Sequence, residues 1–294
     1  LMKGDEAPHA PHLAVTATPW NGSVAAYASV EAGGGFDLNT TVFRRSIMGV
    51  TETDLAAARP GMTDRGPALR VRLKGGGLKS ASRVGVLSGV NLMAIGDGTP
   101  GGWELFQFTR AEPVEPGVWE ISGRLRGQAG TDALMPETWP AGSAVVLLDG
   151  APEQVNLSPA ARGQVRHWRI GSAMRGPEDG SYRSLSARVE GNGLRPFSPC
   201  HLRLTDNALT WVRRTRIGGD GWDGLDVPLG ETREAYLVRL IRDGRVFSET
   251  VTAETRMTLP PGIAGGGAFT AAVAQLSDEY GAGPFARRVF DVSE

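Results

Sequence analysis

Four histidines, one cysteine and 32 acidic side chains are the groups with which this sequence could do chemistry, and their spacing decides whether any of them work together. Cys200 and His201 are neighbours. On a strand, consecutive side chains point to opposite faces, so the pair diverges instead of forming a thiolate–imidazole couple. The expectation is a buried, structural Cys200. A lone cysteine also excludes an internal disulfide and a cysteine-based zinc cluster. His9 and His12 lie in a proline-rich opening, and His167 sits beside Trp168. The carboxylates are scattered, without the spacing of a paired acid and base. Neither a Gly-x-Ser-x-Gly elbow nor a His-Glu-x-x-His helix occurs. The sequence therefore names no catalytic residue, no metal site and no cofactor, and the expectation is a protein that is not an enzyme.

Three loops merit closer reading. Lys74-Gly75-Gly76-Gly77-Leu78-Lys79-Ser80 has the residue types of a phosphate-binding loop. That motif needs glycine directly before the lysine and again five residues earlier, where this sequence has Leu78 and Leu73. A mobile hairpin loop is the expectation. In Gly219-Asp220-Gly221-Trp222-Asp223-Gly224-Leu225-Asp226 the aspartates recur every third residue and could offer oxygens to calcium. An EF-hand instead uses alternate positions and a distal glutamate. Trp222, among small polar residues, is either a platform for a sugar ring or partner protein, or folds back on its own domain. Arg213-Arg214-Thr215-Arg216 places Arg214 and Arg216 on one strand face and Arg213 on the other. They form either a solvated face paired with Asp220, Asp223 or Glu231, or an interchain contact rich in bidentate arginine–carboxylate pairs. The candidate partner or glycan contacts are therefore Trp222, Asp220, Asp223, Arg214 and Arg216.

The elements that must carry these loops read as strands. Leu69-Arg70-Val71-Arg72-Leu73 sends three aliphatic side chains to one face and two arginines to the other, as a half-buried strand does. Trp103–Phe108, Val118–Gly123 and Ala144–Leu148 are further strand candidates. Gly and Pro total 41 and 19 without a repeating period, which fits many short strands and turns and excludes collagen. The one helix candidate is Thr53–Arg59, capped by Thr51 or Thr53 and stopped before Pro60. Pro196 and Pro199 make a stiff connector, which divides the chain into 1–195 and 196–294, with Pro60-Gly61 as a subdivision point. The second part predicts strands Leu202–Leu204, Thr210–Ile217, Ala235–Arg242, Val246–Thr250, Phe269–Gln275 and Arg287–Val292. Asp243-Gly244 supplies the positive φ angles of a type I′ hairpin. The fold class is therefore all-β: a multi-stranded antiparallel N-terminal domain, then a fibronectin type III-like sandwich with Trp211 in its core.

Charge and hydropathy narrow the partners. With 31 basic against 32 acidic residues, the formal charge is −1, so no basic face for a nucleic-acid backbone is expected. No stretch reaches the roughly 18 apolar residues of a membrane-spanning helix. The chain opens on Leu1-Met2-Lys3 without a signal peptide, which points to the C-terminal part of a longer protein.

Several ordered phrases carry a resemblance: Pro19–Ala25, Trp103–Phe108, Gly123–Thr131, Leu194–Leu202, Thr210–Ile217 and Asp226–Glu231. Together they resemble the C-terminal region of the tail-tip host-specificity or "megatron" proteins of gene transfer agents and siphophages. The resemblance implies a virion component at the tail tip or baseplate, made in the bacterial cytoplasm. It implies a homotrimer beside other tail hub and baseplate proteins, serving attachment to the host cell surface and DNA delivery, with no catalysis in this segment. The alternative is a carbohydrate-binding module appended to a cell-wall or polysaccharide hydrolase. It would use Trp20, Trp103, Trp119, Trp139 and Trp222 to stack on host surface polysaccharide.

Overall fold

The computed structural model describes residues 6–219, 226–261, 263 and 267–291. The chain forms two compact units, Leu1–Gly193 and Leu194–Glu294. It is all-β, and every strand pairing among the described residues is antiparallel.

The first unit begins with β1 (His12–Leu13), β2 (Val24–Ser29) and β3 (Asp37–Val42). The chain then runs through β4 (Met48–Thr51), β5 (Leu55–Ala56), β6 (Thr63–Asp64) and β7 (Leu69–Lys74). A short helix, α1 (Arg83–Leu87), leads to β8 (Leu92–Gly96), β9 (Trp103–Glu115) and β10 (Val118–Leu125). β11 (Thr138–Trp139) and β12 (Ala144–Leu147) follow, then β13 (Glu153–Gln154), β14 (Val165–Ser172) and β15 (Arg183–Arg188). Strands β10, β7, β4, β12, β8 and β9 pair in that order, and β9 pairs back onto β10. The sheet is thus a closed barrel, which removes the exposed edges that invite association. Strand β6 continues the β7 side of β10, with Arg124 opposite Asp64 and Leu125 opposite Thr63.

Alternation fills the barrel. Leu69, Val71 and Leu73 point inward beside Met93, Ile95, Phe106, Phe108, Ile121 and Val145. Arg70 and Arg72 point outward onto Glu52 and Glu115, and Arg70 also meets Glu120. Leu55 and Leu69 share this core, so it runs across Pro60-Gly61. The barrel interrupts a second layer of the same unit. That layer is a four-stranded sheet in the order β15, β14, β2, β3, packed on Ala26, Val155, Leu157, Trp168 and Val189.

Three local expectations change. Thr53–Arg59 is not a helix; Leu55–Ala56 pairs with Thr138–Trp139, Ala57 N–H bonds Glu137 O, and Leu55 fills the barrel. Tertiary burial overrides helix propensity there. The unforeseen helix α1 is capped by Ser82, whose Oγ accepts from Gly85 N–H. The Gly75-Gly76-Gly77 stretch is no free hairpin loop. A Cβ at Gly75 would lie 2.1 Å from Ser46 O, and one at Gly77 2.5 Å from the Trp119 ring. These glycines let the chain lie against the barrel.

The second unit is a sandwich. One sheet holds β16 (Cys200–Thr205), β17 (Ala208–Val212) and β20 (Arg256–Thr258). The other orders β19 (Arg245–Thr252), β18 (Tyr236–Arg242), β21 (Phe269–Ser277) and β23 (Ala286–Phe290), with β22 (Gly281–Ala282) as a short addition to β21. This three-on-four arrangement is the fibronectin type III-like fold expected from the strand spacing. Asp243 and Gly244 have φ of 50° and 74°, as the hairpin requires. Val292, the end of the expected last strand, lies outside the described residues. Trp211 packs edge-on to Tyr236 at 5.3 Å between centroids, inside a core of Leu209, Val238, Leu240, Phe269 and Val273. Trp211→Ala is expected to destabilise the second unit by about 3–5 kcal/mol. Urea denaturation checks this: the transition of that unit moves, and the barrel transition stays in place.

Candidate functional site

Two groups of charged side chains among the described residues are the candidates for a site. The first lies inside the barrel, where β9, β10 and β11 meet. Glu104, Arg124 and Arg126 are essentially inaccessible to solvent. Arg126 donates from Nε and Nη2 to the two oxygens of Glu104 at 2.7 and 2.8 Å, and from Nη1 to Ala56 O at 2.7 Å. Glu104 also accepts from Trp139 Nε1 at 2.7 Å and Gly127 N at 3.1 Å. Arg124 donates to Asp64 at 2.8 Å and to the carbonyls of Pro67 and Ile121. Asp64 stands 3.7 Å from Arg126 Nη1.

Two cations and two anions thus form a neutral, hydrogen-bonded cluster. Burial pushes the Asp64 carboxyl up. The hydrogen bonds from Arg124 and Gly66, with the positive charge of Arg124 and Arg126, outweigh it and hold the group below the ordinary carboxylate range. Glu104 is saturated by donors, and Arg126 meets it with a bidentate pair. The cluster ties β5, β6, β9, β10 and β11 together. The signal for it was in the sequence: alternation along Trp103–Phe108 puts Glu104 on the same face as Phe106 and Phe108. A carboxylate on an apolar face needs a buried cation.

The second concentration is the loop end of the sandwich, where the arginine run falls. Strand β17 ends at Val212, so Arg214 and Arg216 do not share a sheet face as expected. Each arginine meets a different segment. Arg213 donates to Asp226 at 2.8 Å and to the carbonyls of Val227 and Pro228. Arg214 lies over the Phe197 ring at 5.5 Å, and its Nη1 is 3.5 Å from Ser198 O. Arg216 pairs with Glu231 at 3.3 Å and lies 5.7 Å from the Tyr280 ring. Arg216, Glu231 and Tyr280 line a shallow cavity of about 180 Å³ with Thr232, Ser277 and Glu279. Arg213 and Arg216 thus brace the segment 226–231, which follows the aspartate loop. Asp220, Trp222 and Asp223 themselves lie outside the described residues.

The remaining candidates stay apart. Cys200, expected to be buried, is half-buried at the start of β16. A bulge follows it, with His201 at φ 54°. His9 meets Leu157 O, His12 meets Glu6, and His167 meets Ser186. Trp139 is buried on Glu104, while Trp20, Trp103 and Trp119 are half-buried. Among the described residues no three His, Cys, Asp or Glu side chains converge as metal ligands. Among the described residues no helix is long and apolar enough to cross a membrane.

Comparison with known proteins places one segment. Residues 46–146 match the model of a family described as Rcc01698-like, C-terminal. That span runs from just before β4 to the penultimate residue of β12, which is the barrel. No curated protein matches the chain. Among solved structures, the FN1-FN3 domains of chicken CNTN1 are similar at 13% identity, with a TM-score of 0.24. The similarity covers 84% of this chain and 66% of that one, just under two thirds of its length.

Two outcomes follow from the buried cluster. Glu104→Ala leaves the Arg126 guanidinium buried without its partner, and is expected to cost about 3–5 kcal/mol in barrel stability, read from chemical denaturation. Asp64 has a folded-state pKa below its unfolded one. Its contribution is therefore complete above the unfolded carboxylate pKa of about 4 and is lost as pH falls through the folded value. Unfolding measured from pH 6 down to pH 2 is expected to show stability falling below about pH 4, with a shallower fall in Asp64→Asn.

Proposed function

We propose that this chain is a non-catalytic structural component of a phage-like tail tip or baseplate, of the gene transfer agent kind, that takes part in host attachment and DNA delivery. The observation that carries the reading is the coincidence of the matched family segment with a complete, closed structural module. Rcc01698, for which that family is named, is a gene transfer agent-associated protein. The ordered phrases from Pro19 to Glu231 support the same assignment along the rest of the chain.

The physical character of the chain suits such a place. A tail tip works outside the cell under shear, and these 294 residues, with one cysteine, hold no internal disulfide to help them. The barrel has no free edge, and its one buried cluster of charges is internally paired. The near-zero net charge lets copies pack side by side without strong mutual repulsion. In this reading the chain is a homotrimer around the tail axis, in contact with tail hub and baseplate proteins and located in the virion. Three copies would raise the avidity of weak contacts with a host surface, on the order of 10²–10⁴ where all can engage at once.

The test is detection of the chain in purified particles. Quantitative mass spectrometry of density-purified particles is expected to find it at a fixed ratio to the other tail proteins. Its absence from particles, with the chain recovered only as a soluble monomer, would contradict the proposal.

A further inference from the structure

The barrel carries one surface feature that its own folding does not use. Between β7 and β8, helix α1 and the turn after it expose Val84, Leu87 and Val90 to 74%, 66% and 47%. Val84 and Leu87 share one side of the helix, three residues apart, and Val90 follows the left-handed Gly89 (φ 98°) and folds back with its N–H on Gly85 O. The charge within this segment is of one sign, and on the adjoining β9 Glu112 is paired with Arg110. From Lys74 to Gly96 the sequence has Lys74, Lys79 and Arg83 and no aspartate or glutamate, in a chain whose net charge is −1. Two of the three lysines of the whole chain are here. No ion pair engages Lys79 or Arg83 among the described residues.

The knuckle is held firmly from below. The buried Gln107 side chain donates to Val86 O at 2.6 Å and Val90 O at 2.8 Å. Asn91 donates to Lys79 O and Phe108 O, and Ser80 exchanges hydrogen bonds with Ala111. Val86 fills the space beneath, while Val84 and Leu87 stay in solvent. The backbone that presents the three aliphatic side chains is thus held in place, so little backbone ordering opposes their burial elsewhere.

We propose that this knuckle inserts into an anionic lipid surface, with Val84, Leu87 and Val90 entering the acyl boundary and Lys79 and Arg83 lying at headgroup level. The chemistry favours lipid over a protein pocket. The tip is aliphatic, and the Ser82 Oγ accepts the helix-cap bond from Gly85 N–H. The segment itself is cationic, with Lys79 and Arg83 and no carboxylate of its own for anionic headgroups to repel. The inference rests on the barrel surface alone and stands or falls separately from the tail-tip assignment.

Flotation of the purified full chain with vesicles tests it. The wild type is expected to float with phosphatidylglycerol–phosphatidylcholine vesicles, less so with pure phosphatidylcholine, and less as salt is raised. Leu87→Asp is expected to reduce the bound fraction about tenfold or more, with an unchanged melting temperature because the side chain is exposed. The double variant Lys79→Glu, Arg83→Glu should remove the preference for the anionic vesicles. Failure of the wild type to float with the anionic vesicles would overturn the proposal, as would equal flotation of Leu87→Asp.

Discussion

The pairing of Arg126 with Glu104 is the interaction on which the barrel depends. Both side chains are removed from water, where an isolated charge would cost far more than any single contact returns. The arrangement is tolerable because it is complete. Glu104 receives four donor contacts, from Arg126 twice, Trp139 and Gly127, and Arg126 gives its remaining edge to Ala56 O. Partial satisfaction of such a network would be worse than an apolar core. The strands that supply these groups must therefore sit in one register, and that demand reaches from β5 to β11.

The rest of the unit follows from that constraint. Segment Thr53–Arg59 gives up its helical propensity because Ala56 O is wanted by Arg126 and Leu55 by the core. Strand β6 lies along β10 because Asp64 pairs with Arg124 there. With the edges closed and the interior charges paired, the surface is left to carry interactions. The outward arginines of β7 are matched by glutamates, whereas the knuckle after β7 is unmatched in both charge and hydropathy. In the sandwich, arginines again act as braces: Arg213, Arg214 and Arg216 each fasten a different segment around the loop end.

Much of this was legible in short-range pattern. Alternation at Leu69–Leu73 identified the inner and outer faces of β7, Asp243-Gly244 identified a hairpin, and Trp211 identified the core of the sandwich. These features depend on residues close in sequence. Barrel closure does not: β7 meets β10 through pairs such as Val71 with Trp119, and β4 meets β12 through Val50 with Ala144. No local spacing encodes those partners. The role of Gly75-Gly76-Gly77 was hidden for the same reason, since the atoms that exclude a side chain belong to Ser46, Ile47 and Trp119. The arginine run misled by composition, because a strand pattern continues past Val212 where the backbone already leaves the sheet.

The most direct measurement is native-state hydrogen exchange at the Gly127 amide, which donates to Glu104 inside the cluster although it lies beyond the end of β10. If the buried pair holds the barrel shut, this amide exchanges only through global unfolding, as slowly as the amides of β9 and β10. Rapid exchange at Gly127 while those strands remain protected would mean that the cluster opens on its own, and that the barrel does not depend on it.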